Sequence, residues 1–251
     1  GRNLTTSLDI DLQLAAESAM EGKVGAAVVL DVATGEVLVM ASKPDYDVNT
    51  FVPRIPQDVW NAVQASGGFL NRAIQGQYPP GSTFKVITAI AGLRSGAIDA
   101  DKSTAICPGY LMVGNRRFPC WNHYGHGTRN VVGAIRDSCN VFFYTYGLEM
   151  GPELLATEAR RFGLDEPTRI ELPYEFKNPV VPDPAWKRRN KNEDGPWSKG
   201  DTANTSIGQG YTLVTPLQVA CFVASFARGE TATVPSLLHQ PDRPRQHTRS
   251  E

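Results

Sequence analysis

The stretch YPPGSTFKVITAIAGL, residues 78–93, sets Ser82 and Lys85 three positions apart at the start of a helical pattern. In a helix positions i and i+3 share a face, so the Ser82 hydroxyl and the Lys85 amine come within reach of each other. A serine hydroxyl turns nucleophilic only when a base takes its proton. Lysine is such a base only when burial or neighbouring cations bring its pKa toward neutrality. Lys85 sits between Phe84 and Val86 in an otherwise apolar run, so it is either buried for a purpose or turned out of the core. Ser82, in the first turn, lies where unpaired N–H groups and the helix dipole favour developing negative charge. The bland alternative is an N-cap serine with a solvated lysine, because a chain of this length carries about one Ser-x-x-Lys by chance. Against it, this is the sequence's one Ser-x-x-Lys, and residues 138–140, Ser-Cys-Asn, are its one Ser-x-Asn.

The elements that must hold these residues are legible from apolar periodicity. IDLQLAAESAMEG (10–22) reads as an amphipathic helix, and 25–42 as a hairpin, two apolar runs about a Thr-Gly turn. Helices follow over 83–94, over Val131–Ile135 and Val141–Leu148 separated by RDSCN, and over 151–164 with Pro152 near its start and Gly163 near its end. The proline-rich, charged stretch 174–202 reads as a long surface loop. Residues 215–229 read as a helix capped by Thr215, with Pro216 at its first position and Gly229 at its end. One hairpin followed mostly by helices is the α+β class.

Composition narrows the function classes. The 251 residues are 41% hydrophobic with Lys+Arg 25 against Asp+Glu 26, so a substantial core is possible and no global field draws the chain to nucleic acid or an anionic membrane. The KRRNK run at 187–191 is flanked by Glu193 and Asp194 and reads as a solvated loop. Trp121, Trp186 and Trp197 read as covers for the core ahead of a glycan groove. Gly208-Gln209-Gly210 has no following Gly-Lys-Ser/Thr and so is no phosphate loop; it reads as part of a cleft floor. No run reaches the length of a membrane span, no signal peptide opens the chain, and the last thirteen residues, HQPDRPRQHTRSE, are too polar to bury anything alone. Both ends read as those of a fragment.

STFK followed about fifty residues later by SCN resembles the penicillin-binding proteins and serine β-lactamases. The resemblance widens over residues 26–49, 71–85, 125–144 and 200–220. Nearly the whole chain, 1–251, is identified as a transpeptidase domain of class B penicillin-binding proteins of the cell-elongation type. It implies the fold of that family, an antiparallel sheet flanked by a helical subdomain. It also implies D,D-transpeptidase chemistry on peptidoglycan stem peptides: Ser82 attacks the carbonyl between the last two D-alanines, Lys85 takes its proton, Ser138 relays a proton to the departing amine, and Asn140 holds the substrate's backbone amide. The Ser82 N–H would supply half an oxyanion hole. β-Lactams would stall at the acyl stage. No catalytic cofactor is implied. Partners would be stem peptides, β-lactams and a glycosyltransferase of the membrane wall-synthesis machinery. The location implied is the periplasmic face of the cytoplasmic membrane, reached through an anchor outside this chain.

The sequence departs from the family in having no Lys-Thr-Gly or Lys-Ser-Gly. That motif's strand would line the site, so its absence is read as truncation, with the last strands missing and the fragment impaired. Two other readings stay open: a class D β-lactamase or β-lactam sensor, and a non-catalytic scaffold of the wall-synthesis complex. Cys107, Cys120, His126 and Cys139, spaced C-x12-C-x5-H-x12-C, fit a structural zinc site, with His123 as a substitute for His126. A Cys107–Cys120 disulfide, which an extracytoplasmic location permits, and free thiols are the alternatives. Cys221 reads as a small core residue.

Overall fold

The computed structural model describes residues 3–229 and 232–239. The polar end at 239–251 lies outside the described residues except for His239. In chain order the elements are α1 (Ile10–Ala19), β1 (Gly25–Leu30), β2 (Val37–Lys43), α2 (Gln57–Ser66), α3 (Lys85–Ser95), β3 (Thr104–Cys107), β4 (Tyr110–Val113), β5 (Arg116–Pro119), β6 (Gly127–Asn130), α4 (Val131–Arg136), α5 (Asn140–Met150), α6 (Pro152–Arg161), α7 (Pro184–Asn190), α8 (Lys199–Ser206) and α9 (Pro216–Ala227). The chain divides into two units: 1–78 with 166–179 and 214–251, and 79–165 with 180–213.

The first unit is built on the antiparallel β1–β2 hairpin, in register from Gly25 opposite Lys43 to Val29 opposite Val39. Its turn is held by the Asp31 carboxylate, which accepts from the N–H and hydroxyl of Thr34. α9 packs on β1 and α1 on β2. Thr215 and Gln218 form a reciprocal capping box at the start of α9, with Pro216 in its first turn. Cys221, on that helix, is buried with Val37, Ile74 and Leu217, as its apolar surroundings in the sequence suggested, and burial pushes its thiol up to about 12. α1 corrects the amphipathic reading. It contributes no buried residue, and Ile10 and Leu14 are exposed.

The second unit is organised around α5, which buries Val141, Phe142, Phe143, Tyr144, Tyr146, Gly147 and Met150 against α3, α6 and α8. A helix apolar on all faces is an interior helix, which explains why an uninterrupted run, not a stripe, marked it. Two strand pairs flank it, β3 with β6 and β4 with β5, both antiparallel. These four-residue strands carry no apolar alternation long enough to have been read beforehand.

The reading of 174–202 as a surface loop is corrected in part. It contains α7 and the start of α8, and Lys187, expected to be solvated, is 3% exposed. Its ammonium donates to an Asp201 carboxylate oxygen at 2.9 Å and to the Pro196 carbonyl, beneath the Tyr211 ring. Asp201 also closes a capping box with Ser198. A charged run can therefore place one member inward when a carboxylate waits there, a pairing that spacing in sequence does not reveal.

Candidate active site

Ser82 lies in a single 3-10 turn, Gly81–Phe84, that leads directly into α3. Its hydroxyl makes no capping bond, so the N-cap alternative fails. The solvated-lysine alternative fails too, because Lys85 is 1% exposed. α4 ends at Arg136 and α5 begins at Asn140, and Ser138 turns the chain between them with φ 50°. The left-handed backbone is costly for a residue with a Cβ, and such strain collects at functional sites.

The two motifs converge through hydrogen bonds. The Lys85 ammonium donates to Ser138 Oγ at 2.9 Å, to the Ser138 carbonyl at 2.9 Å and to Asn140 Oδ1 at 2.6 Å. Ser138 Oγ in turn donates to Ser82 Oγ at 3.0 Å. The hydrogen-bonded connection from Lys85 to Ser82 runs through Ser138.

Burial lowers the Lys85 pKa to about 8, with the Cys120 and Cys139 thiols opposing the shift. The ammonium spends its three N–H bonds on three acceptors. Two are carbonyl oxygens, which accept only; Ser138 Oγ alone can reverse its bond and donate. A neutral Lys85 therefore aims its lone pair at Ser138 Oγ, and the line Ser82–Ser138–Lys85 can carry a proton.

Surrounding residues fix this arrangement. Asn140 Nδ2 and the Tyr144 hydroxyl both donate to the Pro119 carbonyl. Arg129 and Arg136 hold the Asp137 carboxylate and keep it well below the usual carboxylate range. Gly208 (φ 68°) lies so near Gly81 that a Cβ would sit 2.4 Å from the Gly81 carbonyl oxygen, and Gly81 N–H donates to the Gly208 carbonyl. Only glycine lets the GQG segment close on the turn that carries Ser82. Gly81, Ser82, Ser138, Asn140, Ile207, Gln209 and Trp121 line one open cleft of about 470 Å³. Its part in shaping this cleft is what the sequence suggested for the GQG run; Trp121, read there as a core cover ahead of a groove-lining residue, is instead exposed and lines the cleft.

Behind the second motif lie Cys107, Cys120, His126 and Cys139, whose candidate ligand atoms fall within 4.8 Å of one another. His126 Nδ1 is 3.6 Å from Cys107 Sγ and 3.5 Å from Cys120 Sγ. A tetrahedron with zinc–sulfur bonds of ~2.3 Å and zinc–nitrogen bonds of ~2.0 Å has S···N edges of about 3.5 Å, so this donor set fits zinc. No disulfide joins Cys107 to Cys120, against the disulfide alternative, and His123 is exposed outside the cluster. Gly125 (φ 82°) lets the loop close: a Cβ there would lie 2.2 Å from the Cys107 carbonyl, which accepts the His126 N–H.

Comparison with known proteins agrees in family. The profile described as "Penicillin binding protein transpeptidase domain" matches residues 25–250. The peptidoglycan D,D-transpeptidase MrdA of Acinetobacter baumannii is 37% identical over 243 residues, which cover 95% of this chain and 35% of that protein. The chain thus spans about a third of that relative's length. Among solved structures, the penicillin-binding protein PBP2 from Helicobacter pylori superposes with a TM-score of 0.90 at 38% identity, covering 99% of this chain and 47% of that one; it has also been solved in complex with MreC. PBP2 of Pseudomonas aeruginosa, in complex with WCK 5153, superposes with a TM-score of 0.87 at 33% identity, covering 100% of this chain and 59% of that one. A match over so much of the chain, to sequences and folds alike, means that this chain belongs to the penicillin-binding protein transpeptidase family.

Proposed function

We propose that the chain is the transpeptidase domain of a peptidoglycan D,D-transpeptidase of the elongation type, with Ser82 as nucleophile and Lys85, Ser138 and Asn140 as its partners. The observation that carries this is the hydrogen-bonded line from buried Lys85 through Ser138 to Ser82. In this reading Ser82 Oγ bonds to the carbonyl carbon between the terminal D-alanines while its proton passes through Ser138 to neutral Lys85. The Ser82 N–H, in the unpaired first turn, steadies the oxyanion. The C–N bond then breaks, the proton returns along the same line to the leaving amine, and an ester of Ser82 remains until an amine on a neighbouring stem peptide attacks it. Asn140 Oδ1 orients the ammonium, and its Nδ2 is tied to Pro119, so it holds register more than it moves protons. With a β-lactam the ring amide opens by the same step, and the leaving group stays tethered.

The reading extends to the rest of the protein, of which this chain would be part: an upstream membrane anchor, a periplasmic location, a downstream Lys-Thr-Gly strand and a glycosyltransferase partner. What supports it is the similarity to a peptidoglycan D,D-transpeptidase and to a chain of a peptidoglycan synthase complex that coordinates polymerization and crosslinking. Labelling of the full-length protein with fluorescent penicillin tests it. Stable label that disappears in Ser82→Ala is expected; label retained in that variant, or rapid turnover of the penicillin, would overturn it.

The Cys107, Cys120, His126 and Cys139 cluster is proposed to hold a structural zinc ion. The ion would brace the 107–126 loop and, through Cys139, the Ser138 and Asn140 flanks. About one zinc per chain, with Cys107, Cys120 and Cys139 protected from thiol reagents until a chelator is added, is the expected result. A metal-free protein with three titratable thiols at these positions would refute it.

A further inference from the structure

The chain turns from α4 into α5 over residues 137–139, and Ser138 takes that turn with φ 50°, a backbone that persists only where its surroundings hold it. Backbone bonds tie the turn back to α4: Asp137 N–H donates to the Gly133 carbonyl at 2.9 Å, Ser138 N–H to that of Ile135 at 3.2 Å, and Cys139 N–H to that of Ala134 at 2.9 Å. Arg129, on β6, reaches the turn from outside that helix. Its Nε donates to Asp137 Oδ2 at 2.6 Å, and its Nη1 donates to the Thr128 carbonyl at 2.9 Å, which steadies the guanidinium. Its stem crosses Gly133, where a Cβ would stand 3.0 Å from Arg129 Cδ. Arg136 binds the same carboxylate, but it is the adjacent residue and its side chain is 72% exposed, so it ties Asp137 only to its own helix. The Arg129 and Asp137 side chains are 29% and 21% exposed, where a charge-assisted bond is less screened.

We propose that Arg129 is a positioning residue of this site: through the Asp137 carboxylate it holds Ser138 in the left-handed turn that keeps its hydroxyl between Ser82 and Lys85. This rests on the acyl-transfer reading of the same cleft. Arg129 touches neither substrate nor reacting atom and acts through Asp137. A Ser138 relaxed to negative φ would carry away its hydroxyl and its carbonyl together, two of the three acceptors of the Lys85 ammonium. Release of the grip therefore slows bond formation and leaves capture of the donor as it was.

The test measures acylation of the full-length protein by benzylpenicillin, separating the limiting rate from the dissociation constant of the non-covalent complex. Arg129→Met, which keeps a stem over Gly133 but not the grip, and Arg129→Ala are each expected to lower the limiting rate about tenfold and to change the dissociation constant by about twofold or less. Arg129→Lys, whose ammonium can replace the single Nε bond, is expected to stay within about threefold of the unaltered rate. In the Ser138→Ala background, where there is no hydroxyl left to position, Arg129→Met should change the residual rate by about twofold or less. Melting temperatures are read for every variant; should Arg129→Ala not fold, the contrast between Arg129→Met and Arg129→Lys decides. An unchanged limiting rate in Arg129→Met, a loss in Arg129→Lys as large as in Arg129→Met, or the whole tenfold loss persisting in Ser138→Ala would each overturn the proposal. A separate result tests the reading beneath it: if the unaltered protein is not acylated, or Ser138→Ala is acylated at the unaltered rate, the relay itself fails and takes this proposal with it.

Discussion

The Lys85 ammonium lies 2.9 Å from Ser138 Oγ, and of its three acceptors that hydroxyl is the only one that can also donate. The lysine is thereby committed to one route for a proton. The two carbonyl oxygens hold it in place and cannot give a proton back.

The first expected outcome is a pH dependence. With its pKa lowered to about 8 by burial, Lys85 is mostly charged below that pH, and a charged amine cannot accept a proton. Acylation should rise about tenfold per unit below pH 8 and level off above it. The sign for stability is the same. The unfolded chain keeps the Lys85 proton up to the ordinary lysine value of 10.5, whereas the folded one releases it near 8, so this group's contribution makes the fold more stable as pH rises between these values. Acylation rates and urea midpoints from pH 6 to 10 check both; a flat rate profile would remove Lys85 from the base role.

Ser138 joins two properties that substitution can separate. Both Ser138→Ala and Ser138→Gly should lower penicillin acylation by about 10²–10⁴-fold through loss of the relay. They should differ in stability, because glycine relieves the φ of 50° and alanine does not. Ser138→Gly is expected to be more stable than Ser138→Ala by about 1 kcal/mol, measured by denaturant unfolding.

Gly208→Ala would drive a Cβ to 2.4 Å from the Gly81 carbonyl oxygen at a φ of 68°. Relief requires the 81–84 turn to move. A loss of about 2 kcal/mol or more is expected, together with slower acylation although no reacting group is altered. Gly163→Ala, with φ 72° and no atom within 4 Å of where the Cβ would stand, is the control: a strained backbone without the clash.

The Lys187–Asp201 pair is buried, with side chains 4% and 17% exposed. Burial raises the Asp201 carboxyl, but the Lys187 and Ser198 hydrogen bonds outweigh it and bring the carboxyl below its ordinary value. Its stabilising effect is therefore present above the unfolded pKa of ~3.9 and is lost as pH falls through the folded value. Asp201→Ala removes the α8 capping box and strands a buried ammonium, at a cost of about 3 kcal/mol or more. Lys187→Met keeps the cap and should cost less. Melting temperatures of the two variants at pH 7 give the comparison.

The Ser82 and Lys85 pair was legible because the chemistry proposed for it needs a serine and a lysine at one helical spacing, and glycine and proline mark the helix start. The interior helix α5 and the capping of α9 were legible for similar reasons, each set by neighbours along the chain. The strands β3 to β6 were not, since four residues are too few to show alternation. The inward turn of Lys187 was not either, because its partner Asp201 lies 14 residues away and on another helix.

By itself the sequence determined which groups are available: one serine with its lysine three positions on, a second serine and amide, three thiols and an imidazole, and the local signals that start and stop their helices. Only the tertiary structure decided that Lys85 faces Ser138 and Asn140 and reaches Ser82 through Ser138. It alone turned Trp121 into the cleft. Helical spacing fixes neighbours within one turn, but the direction of a proton path and the walls of a cleft come from contacts between segments some fifty residues apart, where packing and burial, not periodicity, choose the partner.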